Sequence, residues 1–125
     1  MKEPQRIAVV GASRTRSKFG NKCVRAYLAE GWTVFPVHPR EKEIEGLPVV
    51  TSVVDIEAPL DRISVYLPPQ TTMALLDDFA ATKAEVWFNP GSAGEAILAS
   101  ARALQIPFHS ACSIVDIGRS PSEFP

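Results

Sequence analysis

The opening twenty residues constrain the fold of this chain most strongly. A short apolar run at residues 7–10 ends at Gly11, and after a polar loop a segment with helical periodicity spans 18–30, with Gly20 at its start and Gly31 after its end. A buried strand, a glycine turn and a helix N-terminus form the first βα unit of a Rossmann-type fold. The N–H groups there have no partner within the helix and can bind a phosphate. The opening therefore predicts a site for a nucleotide-containing ligand.

Length and composition limit the class of protein. The chain has 125 residues, 46% of them hydrophobic, and a formal net charge of -1. These values predict one globular domain, 1–125, and disfavour a nucleic-acid partner. The longest apolar runs fall far short of the roughly 20 residues that cross a bilayer, so we expect no membrane contact. The two cysteines lack CxxC spacing, which disfavours a metal site. Without an export signal at its start, the chain is predicted to be cytoplasmic with reduced thiols.

Strand-like and helix-like segments alternate along the whole chain. The predicted strands span residues 7–10, 32–37, 63–67, 86–88 and 107–109. Parallel strands joined by helices form right-handed βαβ units, which place helices on both sides of a sheet. The alternation therefore predicts an α/β fold: a Rossmann-like, doubly wound, mostly parallel five-stranded sheet with helices on both faces. Residues 46–50 are expected to form an extended excursion from it.

Hydroxyl side chains are candidates to begin three of the helices. Ser52 is predicted to cap a short helix, and Thr71 or Thr72 the helix after the third strand. Ser92 and Glu95 have the spacing of a capping box for the next helix.

Helical periodicity predicts which side chains of the two later helices face the core. The predicted inward positions are Met73, Leu76, Phe79, Ala80, Ile97, Leu98, Ala101 and Leu104. A short final segment is predicted at 113–117. The tail, 119–125, contains two prolines and is expected to be poorly ordered.

Unusual residues follow four of the predicted strands. They are Gly11-Ala12-Ser13, Val37-His38-Pro39-Arg40, Leu67-Pro68-Pro69 and Asn89-Pro90-Gly91. In doubly wound sheets, ligands bind outside the carboxyl ends of the strands where the strand order reverses. Gly11 would allow a tight turn, and Gly20 would let a phosphate approach the backbone. The alternative is that these glycines only end or begin elements, since the full G-x-G-x-x-G pattern is absent.

The end of the second strand indicates the class of nucleotide. An NAD site places an acidic residue there, whereas this chain has His38-Pro39-Arg40. Arginine binds an additional ribose phosphate well, which favours NADP or coenzyme A. A solvated charge beside Glu41 and Lys42 is the alternative for Arg40. The prolines at 39, 68 and 69 would offer rigid apolar surfaces to a base or a pantetheine arm, or would simply stiffen loops.

The order and spacing of these motifs, together with Lys18-Phe19-Gly20 and Cys112, resemble the family of small, single-domain CoA-binding proteins. That family is similar to the N-terminal CoA-binding domain of the succinyl-CoA synthetase alpha subunit, and the resemblance covers residues 6–117. It implies that the first turn and the 18–20 segment contact the CoA phosphates. It also places Val37, Pro39 and Arg40 near the adenosine 3′-phosphate and residues 67–69 on the adenine or the adjoining linker. His38 stands where family members often carry asparagine.

The site predicted from the motifs and the resemblance draws on every strand end described above. The residues predicted to bind coenzyme A are Gly11, Ala12, Ser13, Arg14, Lys18, Phe19, Gly20, Val37, His38, Pro39, Arg40, Leu67, Pro68, Pro69, Asn89, Pro90 and Gly91.

The predicted function is non-catalytic binding of coenzyme A or an acyl-CoA. The synthetase reaction needs a phosphohistidine from a further domain, and neither His38 nor His109 has a carboxylate partner nearby in sequence. We predict no catalytic residue and no metal. Cys23 is expected in the core, and Cys112 either there or facing the ligand thiol. The alternatives are an NADP-dependent oxidoreductase and a regulatory Rossmann-like domain that binds a protein through one of its tryptophans at 32 and 87.

Overall fold

A single parallel sheet organises the molecule. The computed structural model describes residues 3–125 and contains a five-stranded sheet of order β2-β1-β5-β6-β7, in which every neighbouring pair is parallel. Its strands are β1 (Arg6–Val10), β2 (Thr33–Val37), β5 (Arg62–Val65), β6 (Glu85–Phe88) and β7 (Phe108–His109). Because β2 and β5 flank opposite edges of β1, the order reverses at β1. The predicted α/β, doubly wound fold is confirmed.

Helices cover both faces of the sheet. They are α1 (Phe19–Ala29), α2 (Pro69–Ala74), α3 (Leu76–Thr82), α4 (Glu95–Ala103) and the single-turn α5 (Ser113–Asp116). Alternate residues of β1 belong to two different cores: Ile7 and Val9 pack with α1 and α5, whereas Ala8 and Val10 pack with α3 and α4. A strand that is buried on both sides reads as a continuous apolar run, which is why residues 7–10 carry no polar side chain.

Two glycines bring three backbone segments together at the point where the strand order reverses. Gly11 has φ +86°, and a Cβ there would overlap the carbonyl oxygen of Tyr66 at the end of β5. A Cβ on Gly20, in the first turn of α1, would overlap the carbonyl oxygen of Gly11. The sequence analysis assigned Gly20 to phosphate approach. The structure shows a second reason for glycine at position 20: its close contact with the Gly11 carbonyl oxygen leaves no room for a side chain.

Two of the predicted helix caps are wrong. The helix after β5 begins at Pro69, with Pro68 as its N-cap and no side-chain cap, so neither Thr71 nor Thr72 initiates it. A proline in the first turn has its φ preset and needs no N–H partner, so it starts the helix earlier. That helix is also interrupted at Leu75, where α2 gives way to α3.

The predicted capping box at the start of α4 does not form. The N-cap of α4 is Gly94, and the Ser92 hydroxyl instead donates to the Asn89 carbonyl oxygen at 2.7 Å. By contrast, Ser52 does cap a single 3-10 turn at Val53–Asp55, where its hydroxyl accepts from the Val54 N–H.

The inward faces of the later helices are mostly as predicted. Leu76, Phe79, Ile97 and Ala101 are buried, and Ala80 and Leu98 are half-buried against the same core. Met73 and Leu104 are wrong, because they lie near helix ends and are 38% and 40% exposed.

Two connecting segments are more ordered than the sequence suggests. The excursion expected at residues 46–50 contains β4 (Leu47–Pro48), which forms an antiparallel hairpin beside β2 with β3 (Glu43–Ile44), a strand that begins before the expected segment. The tail, 119–125, was expected to be poorly ordered, but it forms a 3-10 turn at Pro121–Glu123 with a capping box. Arg25 of α1 donates to the carbonyl oxygens of Phe124 and Pro125, which holds the tail against α1.

The contact between α1 and the first turn predicts an unusual response to Gly20→Ala. Replacing glycine by alanine inside a helix normally stabilises it by about 1 kcal/mol. Here we expect the free energy of unfolding to fall by about 1–3 kcal/mol, because the added Cβ overlaps the Gly11 carbonyl oxygen. Urea denaturation would measure the change.

Gly94→Ala is the matched control for this substitution. A Cβ at Gly94 meets nothing within 4 Å, so we expect a change below about 1 kcal/mol. Gain of stability in Gly20→Ala, or equal losses in both variants, would contradict the packing role of Gly20.

Candidate ligand-binding site

A cleft of about 720 Å³ opens at the carboxyl ends of the strands, where the strand order reverses. Most of the predicted site residues come together around it. Those that line the cleft are Gly11, Ala12, Ser13, Lys18, Phe19, Gly20, Val37, His38, Pro39, Leu67, Pro68, Pro90 and Gly91. The titratable side chains among the described lining residues are Lys18, His38 and Tyr66, so no carboxylate lines this cleft. Such a surface suits a ligand that is negatively charged and partly apolar.

Four predicted site residues lie elsewhere. Arg14 and Arg40 line an adjoining charged depression beside the β3–β4 hairpin. Pro69 is the first residue of α2, and Asn89 is 2% exposed beneath the cleft.

The cleft also contains residues that the sequence analysis missed. They are Val10, Thr51, Tyr66, Thr71, Leu75 and Ser92. Val10 and Tyr66 directly precede motifs that were predicted to bind the ligand. Their positions at strand ends could have identified them as cleft residues from the sequence. Thr51, Thr71 and Leu75 reach the cleft only through the tertiary fold.

The turn between β1 and α1 presents free backbone donors to the cleft. The Ser13 hydroxyl accepts from the Thr15 N–H at 3.0 Å, and the Lys18 N–H is bonded within the loop at 3.1 Å. Across residues 3–125, the N–H groups of Ser13, Arg14, Phe19 and Gly20 have no acceptor. The first turn of α1 carries no acidic side chain and its N-cap makes no side-chain bond. An anion from outside the chain would satisfy these donors.

A buried asparagine holds this turn from behind. The Asn21 amide donates to the Ser13 carbonyl oxygen at 2.8 Å and to Glu45 at 3.1 Å. Its oxygen accepts from Arg25 at 2.7 Å, and Arg25 also donates to the Arg16 carbonyl oxygen at 2.7 Å. The loop is therefore fixed at both ends before any ligand binds, which reduces the entropy that binding would cost.

The loop after β2 forms the opposite side of the cleft. Nδ1 of His38 accepts from the N–H groups of Arg40 and Glu41, both at 3.0 Å. Glu41 lies 3.7 Å from Arg14, whereas Arg40 forms no ion pair with any residue the structure describes. The Arg40 guanidinium is therefore unpaired among the described residues, in the depression that Glu41, Glu43 and Glu45 also line.

Asn89 supports the cleft from within the protein. Its amide donates to the Ser64 hydroxyl and the Val65 carbonyl oxygen, both at 2.9 Å. Its oxygen accepts from the Ser113 N–H at 2.9 Å. Both polar atoms are thus engaged, so Asn89 ties the Pro90-Gly91 loop to β5 and α5. This differs from the ligand contact that the sequence analysis assigned to it.

The thiols and the buried tyrosine supply no nucleophile to the cleft. Burial raises the pKa of the Cys23 thiol, which lies 3.5 Å from the Ser64 hydroxyl in the core, as predicted. Cys112 is half-buried and packs in the same layer, outside the residues that line the cleft. Burial also raises the pKa of the Tyr66 hydroxyl, which forms no hydrogen bond with any described residue. The raised pKa values keep the Cys23 thiol and the Tyr66 hydroxyl neutral near pH 7.

His109 is the last residue of the edge strand β7, three strands away from β1, and is not among the residues that line the cleft. Its ring stacks on Trp87 at 4.4 Å, and its Nε2 is 3.8 Å from Glu85. Arg62 lies between the two tryptophan rings, with Trp32 at 5.2 Å and Trp87 at 4.7 Å. No group of three or more His, Cys, Asp or Glu side chains within residues 3–125 is arranged to hold a metal ion.

Comparison with known proteins identifies the family. Residues 5–118 match the family model described as the CoA binding domain. The chain belongs to this family. The resemblance inferred from the sequence is confirmed, and the family's Rossmann-like fold agrees with the observed sheet.

Relatives of this CoA binding domain include small proteins and much longer ligases. YneT of Bacillus subtilis is 28% identical over 96 residues, covering 76% of this chain and 71% of YneT. An ADP-forming acetate–CoA ligase of Methanocaldococcus jannaschii is 27% identical over 75 residues, which are 60% of this chain but 11% of the ligase. A solved structure of a conserved hypothetical protein from Pyrococcus furiosus is 30% identical, with a TM-score of 0.82 over 90% of this chain and 98% of that one. No helix in the described part of the chain has the length and apolar character to span a membrane.

The bracing role of Asn89 predicts that Asn89→Ala lowers the free energy of unfolding by about 1–3 kcal/mol. The truncation leaves the buried Ser113 N–H without its acceptor. Ser110→Ala, at an exposed position between β7 and α5, is the control and should change stability by less than about 0.5 kcal/mol. Thermal denaturation of both variants tests this, and wild-type stability in Asn89→Ala would contradict the bracing role.

Proposed function

We propose that this CoA binding domain binds coenzyme A or an acyl-CoA in the cleft and that it does so without catalysis. The observation that carries the proposal is the cluster of free N–H groups at the β1–α1 turn, which faces a cleft without carboxylates. The turn lies where the strand order reverses, the usual place for a nucleotide in this fold. Family membership supports the same ligand.

The diphosphate of coenzyme A would lie on the β1–α1 turn. The free N–H groups of Ser13, Arg14, Phe19 and Gly20 supply donors from two directions. The positive end of the α1 dipole adds roughly 0.3–1 kcal/mol for a nearby negative charge. Lys18 lines the same wall and forms no ion pair with a described residue, so its charge is available to a phosphate.

The adenosine would lie between the loops that follow β2 and β5. Val37 and Pro39 line the cleft from the end of β2, and Leu67 and Pro68 line it from the loop after β5, on either side of β1. These rigid apolar surfaces suit the faces of a purine. The unpaired Arg40 next to this space would bind the 3′-phosphate of the ribose.

Binding without catalysis is the interpretation that the site supports best. Burial keeps the Cys23 thiol neutral, Cys112 lies outside the cleft, and His109 is on the edge strand β7, outside the cleft lining. The ligase relatives are far longer than the part that this chain matches. Both tryptophans pack on Arg62, which disfavours the alternative of a protein partner bound through them. The cytoplasmic location stays a prediction.

Isothermal titration calorimetry with coenzyme A, dephospho-CoA, NADP and NAD tests the ligand and the role of Arg40. We expect wild-type protein to prefer coenzyme A to all three. Arg40→Ala should weaken coenzyme A binding about tenfold, since an exposed charge-assisted hydrogen bond contributes about 1–2 kcal/mol. Its affinity for dephospho-CoA, which lacks the 3′-phosphate, should change little.

Lys42→Ala is the matched control, because Lys42 is an exposed cation that lines the same depression as Arg40. It should weaken coenzyme A by less than about threefold. Absence of coenzyme A binding at millimolar concentration would refute the proposed function. Preference for NADP would favour the oxidoreductase alternative, and equal losses for both CoA forms would exclude Arg40 as the 3′-phosphate contact.

A further inference from the structure

His38 directly follows β2, lines the cleft, and forms hydrogen bonds through both its backbone and its ring. Its backbone N–H donates to the Val50 carbonyl oxygen at 3.1 Å, which fixes the residue against the neighbouring segment. Its half-buried side chain lines the cleft, and Nδ1 accepts from the N–H groups of Arg40 and Glu41, both at 3.0 Å. These two hydrogen bonds hold residues 39–41 in a turn beside the His38 ring.

This geometry requires a neutral ring with its proton on Nε2. A neutral imidazole has one acceptor nitrogen and one donor nitrogen, and here the acceptor must be Nδ1. A protonated ring would place an N–H at Nδ1, opposite two other N–H groups, and both hydrogen bonds would be lost. Histidine side chains commonly gain a proton between about pH 5 and 8. The fold of the 39–41 segment is therefore linked to the protonation of His38.

The charged groups around His38 come from three segments. Arg40 and Glu41 belong to its own loop, and Arg14 reaches Glu41 from the β1–α1 loop at 3.7 Å. Lys18 at the start of α1 and Tyr66 after β5 line the same cleft. Val50, which accepts from the His38 N–H, and Thr51, which lines the cleft, carry no charge, and the Thr51 hydroxyl donates to the Asp55 carboxylate at 3.0 Å. Glu41 is the carboxylate on the same loop as His38, and it is shared with Arg14.

We propose that His38 is a positioning residue for the ligand: its neutral ring holds Pro39 and Arg40 where the adenosine end binds, and binding weakens when the ring is protonated. This inference rests on the proposed function, because the ligand used to detect it is coenzyme A. It goes beyond that function by assigning a pH response to one side chain.

Replacing His38 by asparagine separates the effect of the loop conformation from the effect of ring protonation. The Oδ1 of asparagine stands at the same distance along the side chain as Nδ1 of histidine, and it accepts two hydrogen bonds without titrating. His38→Asn should therefore keep the loop folded at every pH. His38→Ala removes the acceptor altogether.

Titration calorimetry of the wild type, His38→Asn and His38→Ala at pH 7.5 and 5.5 tests the proposal. Dephospho-CoA is the main probe, because the 3′-phosphate of coenzyme A itself takes up a proton near pH 6. Between pH 7.5 and pH 5.5, we expect the affinity of the wild type for dephospho-CoA to fall by more than that of His38→Asn, which should change less than twofold. At the single pH of 7.5, coenzyme A itself is the probe, because only its 3′-phosphate reports the position of Arg40. There His38→Ala should bind coenzyme A at least tenfold more weakly than wild type, and His38→Asn should restore most of that loss.

Equal pH dependence in wild type and His38→Asn, or tighter wild-type binding at pH 5.5, would overturn the proposal. So would wild-type affinity in a folded His38→Ala. Nitrogen NMR of the free wild-type protein gives a readout without ligand: at pH 7.5, Nδ1 should be the unprotonated nitrogen, and the Arg40 and Glu41 amides should shift as the ring is protonated. If wild type binds neither CoA form at pH 7.5, the proposed function fails, and the NMR result still decides whether His38 holds the loop.

Discussion

The close approach of α1 to the turn after β1 is the constraint on which both the fold and the site depend. Gly20 packs on the carbonyl oxygen of Gly11, and Gly11 packs on that of Tyr66 at the end of β5. A side chain at either glycine would push α1 away from the sheet. Because the contact is so short, the first N–H groups of α1 lie beside the ends of the two central strands. The same packing therefore builds the core and positions the N–H groups of the proposed anion site.

Buried and half-buried polar side chains hold the loops of the cleft in place. Asn21 fixes the β1–α1 turn, His38 folds the segment after β2, and Asn89 ties the loop after β6 to its neighbours. Each uses its hydrogen bonds inside the protein and leaves backbone donors or apolar surfaces facing the cleft. A site whose loops are already ordered loses little entropy when a ligand binds. This arrangement suits a domain whose task is to hold a flexible nucleotide.

The sequence predicted features that arise from local patterns. Alternating strand and helix periods predicted the doubly wound sheet, and glycine and proline at the strand ends predicted most of the cleft lining. Predictions from the sequence failed where contacts between distant segments determine the local structure. Pro69 starts its helix ahead of the threonines, and Asn89 points into the protein to meet Ser113 from a distant segment. The β3–β4 hairpin places Arg14 and Arg40 in a separate depression, which no local pattern indicates.

The central claim is that the free backbone N–H groups of the β1–α1 turn bind the diphosphate of coenzyme A. A two-dimensional nitrogen–proton NMR titration with coenzyme A observes those groups directly. The account predicts that the amide resonances of Ser13, Arg14, Phe19 and Gly20 shift most and in proportion to the bound fraction. Binding of coenzyme A that leaves these four amides unshifted, with changes confined to the opposite end of the sheet, would contradict it.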